Sequence, residues 1–309
     1  ESIISPSVLR VKPKCDVFGR CGSCTWRHVP YEMQWTAKHR GAQHSLEKRG
    51  VKTTSVPCDL FPASEPFHYR NRIQLRVMNS QLGYTARKSH DFVPIHRCPI
   101  ADEAINQVLQ QTTEESLGRH KVEVEVLDDG TIRKTWDSRH AASGFRQINT
   151  AQNLRLRQWI QEHVQGQDEL LDLYGGDGNL SRDLTGKFSR IDCVDVGVPE
   201  TPEQPLPEHF HFHRSETLPW LKHARLAPDK QRVAFIDPPR AGLGASFGVI
   251  ERELRRCNVT EIIAVGCDVE AWARDISWFL QKGWRLEHIA LFDFFPQTPH
   301  FESVAHLFV

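Results

Sequence analysis

The 309-residue sequence has no apolar run near the roughly 18 to 20 residues that a membrane-spanning helix needs. Its first residues also lack a charged start, an apolar stretch and a small-residue cleavage site. A soluble, cytoplasmic protein with no membrane partner is therefore expected. There is no internal repeat and no low-complexity tract, which excludes a solenoid or a compositionally biased tail. Net charge is absent as well, with 39 Lys and Arg against 39 Asp and Glu. That balance would argue against a nucleic-acid partner if the charges were evenly spread, and they are not. Residues 1–98 hold 16 basic against 7 acidic residues, so the first third is +9 and the remainder −9. A basic third of this kind is expected where one part of a chain meets phosphates.

What is present begins with 8 cysteines. Cys15, Cys21 and Cys24 cluster, while Cys58, Cys98, Cys193, Cys257 and Cys267 are scattered. Without a secretory signal, clustered cysteines read as metal or cluster ligands before they read as disulfides. The polar segment from Pro13 to Cys24 is accordingly expected to be a ligand loop.

At 39% hydrophobic and 25% charged residues the chain is long enough for about two domains. Tyr31 to Glu47 has helical composition with a weak point at Gly41. The alternation from Tyr69 to Val77 predicts a strand pair turning near Asn79 to Gly83, and Val122 to Val126 with Thr131 to Trp136 predicts a hairpin across Asp128-Asp129-Gly130. From about Phe145 the pattern changes. A helix over Ala151 to Val164 precedes strands at Glu169–Tyr174, Arg190–Val196, Phe210–Arg214, Arg232–Asp237, Glu261–Cys267, Arg285–Phe294 and Phe301–Phe308. Seven strands, with helices between the early ones and two adjacent strands at the end, predict a doubly wound sheet. Pro199, Pro202, Pro205 and Pro207 stand where a crossover helix would otherwise run.

Three strand ends carry chemistry. Leu170 to Asn179 is an apolar strand running into a glycine-rich turn before an expected helix, and Asp195 ends the next strand, where a carboxylate can accept from both ribose hydroxyls of a nucleoside cofactor. Asp237-Pro238-Pro239-Arg240 ends the fourth strand with an acid and a fixed loop. Cys267 ends the run Ile262-Ile263-Ala264-Val265-Gly266, a position suited to nucleophilic work at a cofactor crevice.

In this order the motifs resemble the RNA 5-methyluridine methyltransferases. The resemblance rests on Phe145-x-Gln147-x-Asn149, Asp172-Leu-Tyr-x-Gly-x-Gly-Asn179, Asp237-Pro-Pro-Arg240, Cys267 followed by Ala273-Arg274-Asp275, and Phe295-Pro-Gln-Thr-x-His300-x-Glu302. Upstream it takes in Cys15-x5-Cys21-x2-Cys24 with Cys98, and Tyr69-Arg70-Asn71-Arg72. It implies a Rossmann-like class I methyltransferase domain (α/β) over residues 145–309 and an RNA-facing α+β domain bearing an iron–sulfur cluster over residues 1–144. It implies S-adenosyl-L-methionine as cofactor, held by Gln147, Tyr174, Asn179, Asp195 and Asp237. Cys15, Cys21, Cys24 and Cys98 would hold a [4Fe–4S] cluster, with zinc as the other occupant of four thiolates. Cys267 would add to carbon 6 of uracil, Glu302 would remove the carbon 5 proton, and Asp237 would hold the uracil edge or the cofactor. The target base must be unstacked to reach such a pocket.

The layout is closest to the 23S rRNA uracil-C5-methyltransferases that lack an N-terminal barrel domain, so a monomer acting in rRNA processing is expected. A tRNA 5-methyluridine methyltransferase and a non-catalytic iron–sulfur RNA-binding paralogue are the alternatives. The sequence departs from the family at Gly266-Cys267-Asp268-Val269, where Ser-Cys-Asn-Pro is usual, and in the proline-rich stretch that replaces a crossover helix.

Overall fold

A computed structural model describes residues 3–138, 146–198 and 205–309. Phe145, Pro199, Pro202 and the expected boundary between residues 144 and 145 lie outside the described residues. In chain order the elements are α1 (Tyr31–Glu47), β1 (Cys58–Phe61), β2 (Arg72–Met78), β3 (Gln81–Thr85), β4 (Phe92–Pro94), α2 (Glu103–Glu114), β5 (Lys121–Val126), β6 (Ile132–Trp136), α3 (Thr150–His163), β7 (Glu169–Leu173), β8 (Arg190–Asp195), β9 (Phe210–Arg214), α4 (Thr217–His223), β10 (Arg232–Ile236), α5 (Phe247–Arg256), β11 (Val259–Gly266), α6 (Val269–Gln281), β12 (Arg285–Phe292) and β13 (Glu302–Phe308). Among the described residues no helix is long and apolar enough to cross a membrane.

The elements build two sheets. One has five antiparallel strands in the order β4-β3-β2-β5-β6, and the other has eight in the order β1-β12-β13-β11-β10-β7-β8-β9. In the large sheet only β13 runs antiparallel to its neighbours. Every residue of β7 and β10 is buried. That explains why these strands read as continuous apolar runs, since a parallel sheet is covered on both faces. One core cluster packs α1, α5 and α6 on one face, through Trp35, Leu46, Leu254, Trp272 and Ile276. The other packs α3 through Leu156, Trp159 and Ile160. This is the Rossmann-like methyltransferase architecture expected from the order of the strands.

Two expectations need correction. The glycine-rich turn after β7 leads into a single 3-10 turn at Arg182–Leu184 rather than an α-helix. Gly175, Gly176, Gly178 and Gly186 leave no uninterrupted helix-forming run between β7 and β8. The helices lie on the later crossovers, as α4, α5 and α6, and none occurs between β8 and β9 among the described residues. The large sheet also draws on the first third of the chain, since α1 packs on it and β1 joins it. β1 pairs in parallel with β12, from Cys58 opposite Ile289 to Phe61 opposite Phe292. Only four residues long, half-exposed and flanked by Pro57 and Pro62, it carries too little periodicity to be legible.

A buried ion pair fastens α1 to the large sheet. Lys38 Nζ lies 2.6 Å from Asp293 Oδ1, both side chains are fully covered, and Lys38 also donates to the carbonyl of Phe295 at 3.1 Å. Tyr31 Oη donates to the second carboxylate oxygen at 2.8 Å. Asp293→Asn strands the ammonium among apolar walls, so it is expected to cost about 3–5 kcal/mol. Urea denaturation checks this as a lower midpoint at unchanged slope.

Candidate active site

The parallel strands β7, β8, β10 and β11 end at the same edge of the large sheet where antiparallel β13 begins. Tyr174, Asp195, Asp237, Cys267 and Glu302 stand at those five ends and line a single cleft of about 1620 Å³ together with Gln147. Pockets for one small ligand usually measure about 300–1,000 Å³, so this cleft has room for a second. Asn179 is not among its lining residues. It exchanges two hydrogen bonds with Asn153 of α3, at 2.8 and 2.9 Å, which pins the glycine turn to that helix.

Close packing shapes the turn itself. A Cβ on Gly175 would lie 2.6 Å from Cγ of Asp172 and 2.7 Å from Sγ of Cys193, so no other residue fits there. Asp172 is fully buried beneath it and accepts from Ser181 Oγ at 2.5 Å, and burial pushes its carboxyl up to about 6. Tyr174 enters the cleft with φ at 62°, a left-handed backbone that costs on the order of 1–3 kcal/mol for such a residue and marks functional sites.

Strand register places the thiol beside the acid. Gly266 of β11 is paired with Ser303 of β13, so the next residue on each strand toward the cleft, Cys267 and Glu302, face each other across the ladder. Burial and the carboxyls of Glu302 and Asp237 push the Cys267 thiol up to about 11, against a hydrogen bond and charge from Arg240. Burial and Asp237 likewise hold Glu302 well above the ordinary carboxylate range, with Arg240 opposing. Asp237 is pushed up to about 7 by burial and by Asp172 and Asp195. Burial first, and the nearby carboxyls second, thus favour the protonated forms of Asp237 and Glu302.

Local contacts account for the departures around Cys267. A Cβ on Gly266 would meet Cβ of Trp272 at 2.8 Å, so the indole on α6 takes the space that a serine would need. Asp268 caps α6 by accepting from Ala271 N at 3.0 Å, the same service an asparagine performs. The Ala273-Arg274-Asp275 motif secures the neighbouring loop. Leu243 N donates to Asp275 at 2.7 Å and Arg274 donates to the carbonyl of Ala241 at 2.7 Å, just beyond Asp237-Pro238-Pro239-Arg240.

Sequence reasoning missed several basic residues on the cleft, including Arg146 and Lys222, and gave Arg70 no role. They come from separate elements, so no spacing announces them. Nε of Arg70 is buried with no hydrogen-bond partner.

The remaining expected ligands also converge. Cys15, Cys21, Cys24 and Cys98 line one small cavity with Val17, Phe18, Tyr84 and Ile95, and all four are free thiols. Tyr84 Oη points to Sγ of Cys98 at 3.7 Å. Burial raises the Cys24 thiol, with Arg27 opposing. Two residues beyond Cys24, Trp26 N donates to the carbonyl of Gln297 at 3.0 Å, so the cysteine loop is bonded to the segment that leads into Glu302.

Residues 212–308, which hold Asp237, Cys267 and Glu302, match the tRNA (Uracil-5-)-methyltransferase family. An RNA methyltransferase of uncharacterized specificity from Bdellovibrio bacteriovorus is 26% identical over 99% of this chain and 81% of its own. The 23S rRNA (uracil(1939)-C(5))-methyltransferase of Pseudomonas savastanoi is 25% identical over 99% of this chain and 82% of its own. Over these residues the chain is similar to RNA (uracil-5-)-methyltransferases. The fold agrees, since the tRNA (uracil-54, C5)-methyltransferase of Pyrococcus abyssi, solved with S-adenosyl-L-homocysteine, superposes with a TM-score of 0.74 at 21% identity, covering 99% of this chain and 87% of that one.

The raised Cys267 thiol has a direct consequence. A thiol reacts as its thiolate, so the alkylation rate of Cys267 by iodoacetamide should rise about tenfold per pH unit and level off only near 11. Arg240→Ala removes the one group that stabilises the thiolate and should slow the reaction at pH 8 several-fold. Mass spectrometry of the Cys267 peptide reads both.

Proposed function

We propose that the chain transfers a methyl group from S-adenosyl-L-methionine to carbon 5 of a uridine in structured RNA through a covalent Cys267 adduct. The observation that carries this reading is the β11–β13 register, which sets a thiol and a carboxyl side by side on a cleft large enough for cofactor and base.

Carbon 5 of uracil is a weak nucleophile. Adding Cys267 Sγ to carbon 6 converts the ring to an enolate, whose carbon 5 can take a methyl group. Glu302 then accepts the carbon 5 proton, and the returning electron pair expels the Cys267 thiolate, restoring the ring. A carboxyl held well above its usual range is a better base for that proton once ionised, which suits Glu302 to the step. Asp237, kept partly protonated near neutrality, suits a contact to the uracil edge. Asp195, Tyr174 and Gln147 supply the cofactor's side of the cleft, with Asp195 placed for the ribose hydroxyls as at the second strand of dinucleotide sites. When bound, S-adenosyl-L-methionine supplies the electrophilic methyl. Arg70, Lys222 and Arg240 put cationic groups on the cleft wall where a phosphate backbone can meet them.

Ribosomal RNA is the favoured substrate, supported by relatives named as 23S rRNA methyltransferases that align over almost the whole chain. Transfer RNA is the second reading, supported by the description of the matching family.

We assign a [4Fe–4S] cluster to Cys15, Cys21, Cys24 and Cys98. No three of these sulfurs lie within 4.8 Å of one another. Four thiolates around one zinc, at bonds of about 2.3 Å, would sit roughly 3.8 Å apart, whereas a cube needs the wider spread. Methyl transfer involves no redox step. The cluster's part is therefore to hold the basic cysteine loop, and with it Gln297, in place.

Two experiments test these assignments. Glu302→Gln should accumulate a methylated, covalent protein–RNA adduct on a denaturing gel, while Cys267→Ala should form none and lose turnover by several orders of magnitude. A glutamine variant that turns over without a shifted band points to another base. Absence of reaction by the wild type with any cellular RNA that it binds favours a non-catalytic paralogue. For the cluster, anaerobically purified protein should be brown and hold about four iron and four sulfide per chain. Zinc without iron would overturn that assignment.

A further inference from the structure

A second group of chemistry-bearing side chains sits away from the cleft. Asp59 on β1, His163 at the C-terminus of α3 and His288 on β12 each bring one ligand atom to within 4.8 Å of the others. None of the three lines the cleft. His288 is four residues back from Phe292, the strand partner of Glu302, which amounts to roughly 13 Å of strand. Nε2 of His288 lies 2.9 Å from Oδ2 of Asp59, and Nε2 of His163 lies 3.8 Å from the same oxygen. A tetrahedral ion with bonds of about 2.0–2.1 Å separates its ligand atoms by roughly 3.3 Å, midway between these distances.

Orientation supports the same reading. Nδ1 of His163 is 2.8 Å from the carbonyl of Trp159 and donates there, which leaves Nε2 as the ring atom that faces Asp59. A histidine whose other ring nitrogen is tied to a backbone carbonyl is the usual arrangement of a metal ligand. Nε2 of His288 is buried, and Oδ2 of Asp59 at 2.9 Å is the polar atom it faces. The indole Nε1 of Trp159 donates to Oδ2 of Asp59 at 2.8 Å and fixes the carboxylate, while its ring stacks on His163 at 4.0 Å. The other titratable groups at this spot are spoken for, since His306 is bonded to Glu261 at 2.8 Å.

We propose that Asp59, His163 and His288 form a binding site for a divalent transition-metal ion of the zinc class. Two imidazoles and one carboxylate suit such ions, and the side chain of Asp59 is 42% exposed, which leaves water free to complete the coordination. The three ligands come from three elements. The ion therefore ties the four-residue edge strand β1 to both its neighbouring strand and the helix that covers it.

Titrating Co2+ into the full chain tests the site, because thiolate ligation gives a near-ultraviolet charge-transfer band that imidazole and carboxylate ligation lacks. One equivalent should bind with visible ligand-field bands and without the thiolate band. His163→Gln and His288→Gln should each weaken that binding tenfold or more. Melting in the presence of a chelator shows whether a variant has merely lost its fold. Should His288→Gln melt early, His163→Gln at the helix end decides. Binding through the cysteines alone, or variants that bind Co2+ as the wild type does, would establish that protons rather than a metal hold the three side chains together.

Discussion

Lys38 and Asp293 are the contact on which the arrangement of the site depends. Taking both charges out of water costs several kcal/mol per ion, and their attraction with hydrogen bonds from Tyr31 does little more than offset it. What the pair contributes is direction. Asp293 directly follows β12, and Lys38 grips it and the carbonyl of Phe295 from the middle of α1. The loop from 293 to 301 is therefore held against the N-terminal region before the chain turns back as β13. Gln34, one turn earlier on α1, continues the contact. It accepts from Gln297 N at 2.9 Å and donates to the side chain of Gln297 at 3.2 Å. Tyr69 Oη donates to the carbonyl of Pro296 at 3.1 Å from the other side. The basic cysteine-bearing third of the chain and the acid that opens β13 are thus positioned by one set of bonds.

The antiparallel course of β13 matters for the same reason. Had it run parallel to its neighbours, Glu302 would open the strand at the opposite edge of the sheet, far from Cys267. Running antiparallel, it delivers its first residue to the edge where the parallel strands deliver their last. Burial, with the nearby carboxyls adding to it, raises Asp237, Cys267 and Glu302 there. Arg240 is the counterweight, lowering both Cys267 and Glu302.

Much of this was legible in the sequence because the strands of a covered parallel sheet are short apolar runs that end in chemistry. Asp195, Asp237 and Cys267 could be placed at strand ends from such runs alone, and α1 matches its expected bounds even through Gly41. Asn179 was named from a motif, and its partner Asn153 lies 26 residues away in sequence, on a different element. β1 was not legible, since a half-exposed strand of four residues has no period to read. Lys38 looked like any helix-surface lysine. Only the approach of Asp293, 255 residues later, makes it a buried one.

The residues beside Cys267 that depart from the resembled pattern are accommodated by local contacts. Gly266 and Trp272 are coupled, because the indole fills the volume that a larger residue at 266 would occupy and donates to the carbonyl of Ala264 at 3.1 Å. A glycine at the end of a strand adds backbone freedom, but here a buried aromatic and a paired partner at Ser303 remove it. Asp268 retains the cap and adds a negative charge at a helix N-terminus, where the backbone N–H groups favour one. Cys267 stands immediately before that cap. Its position at the head of α6 is therefore preserved by residues other than those the family usually employs.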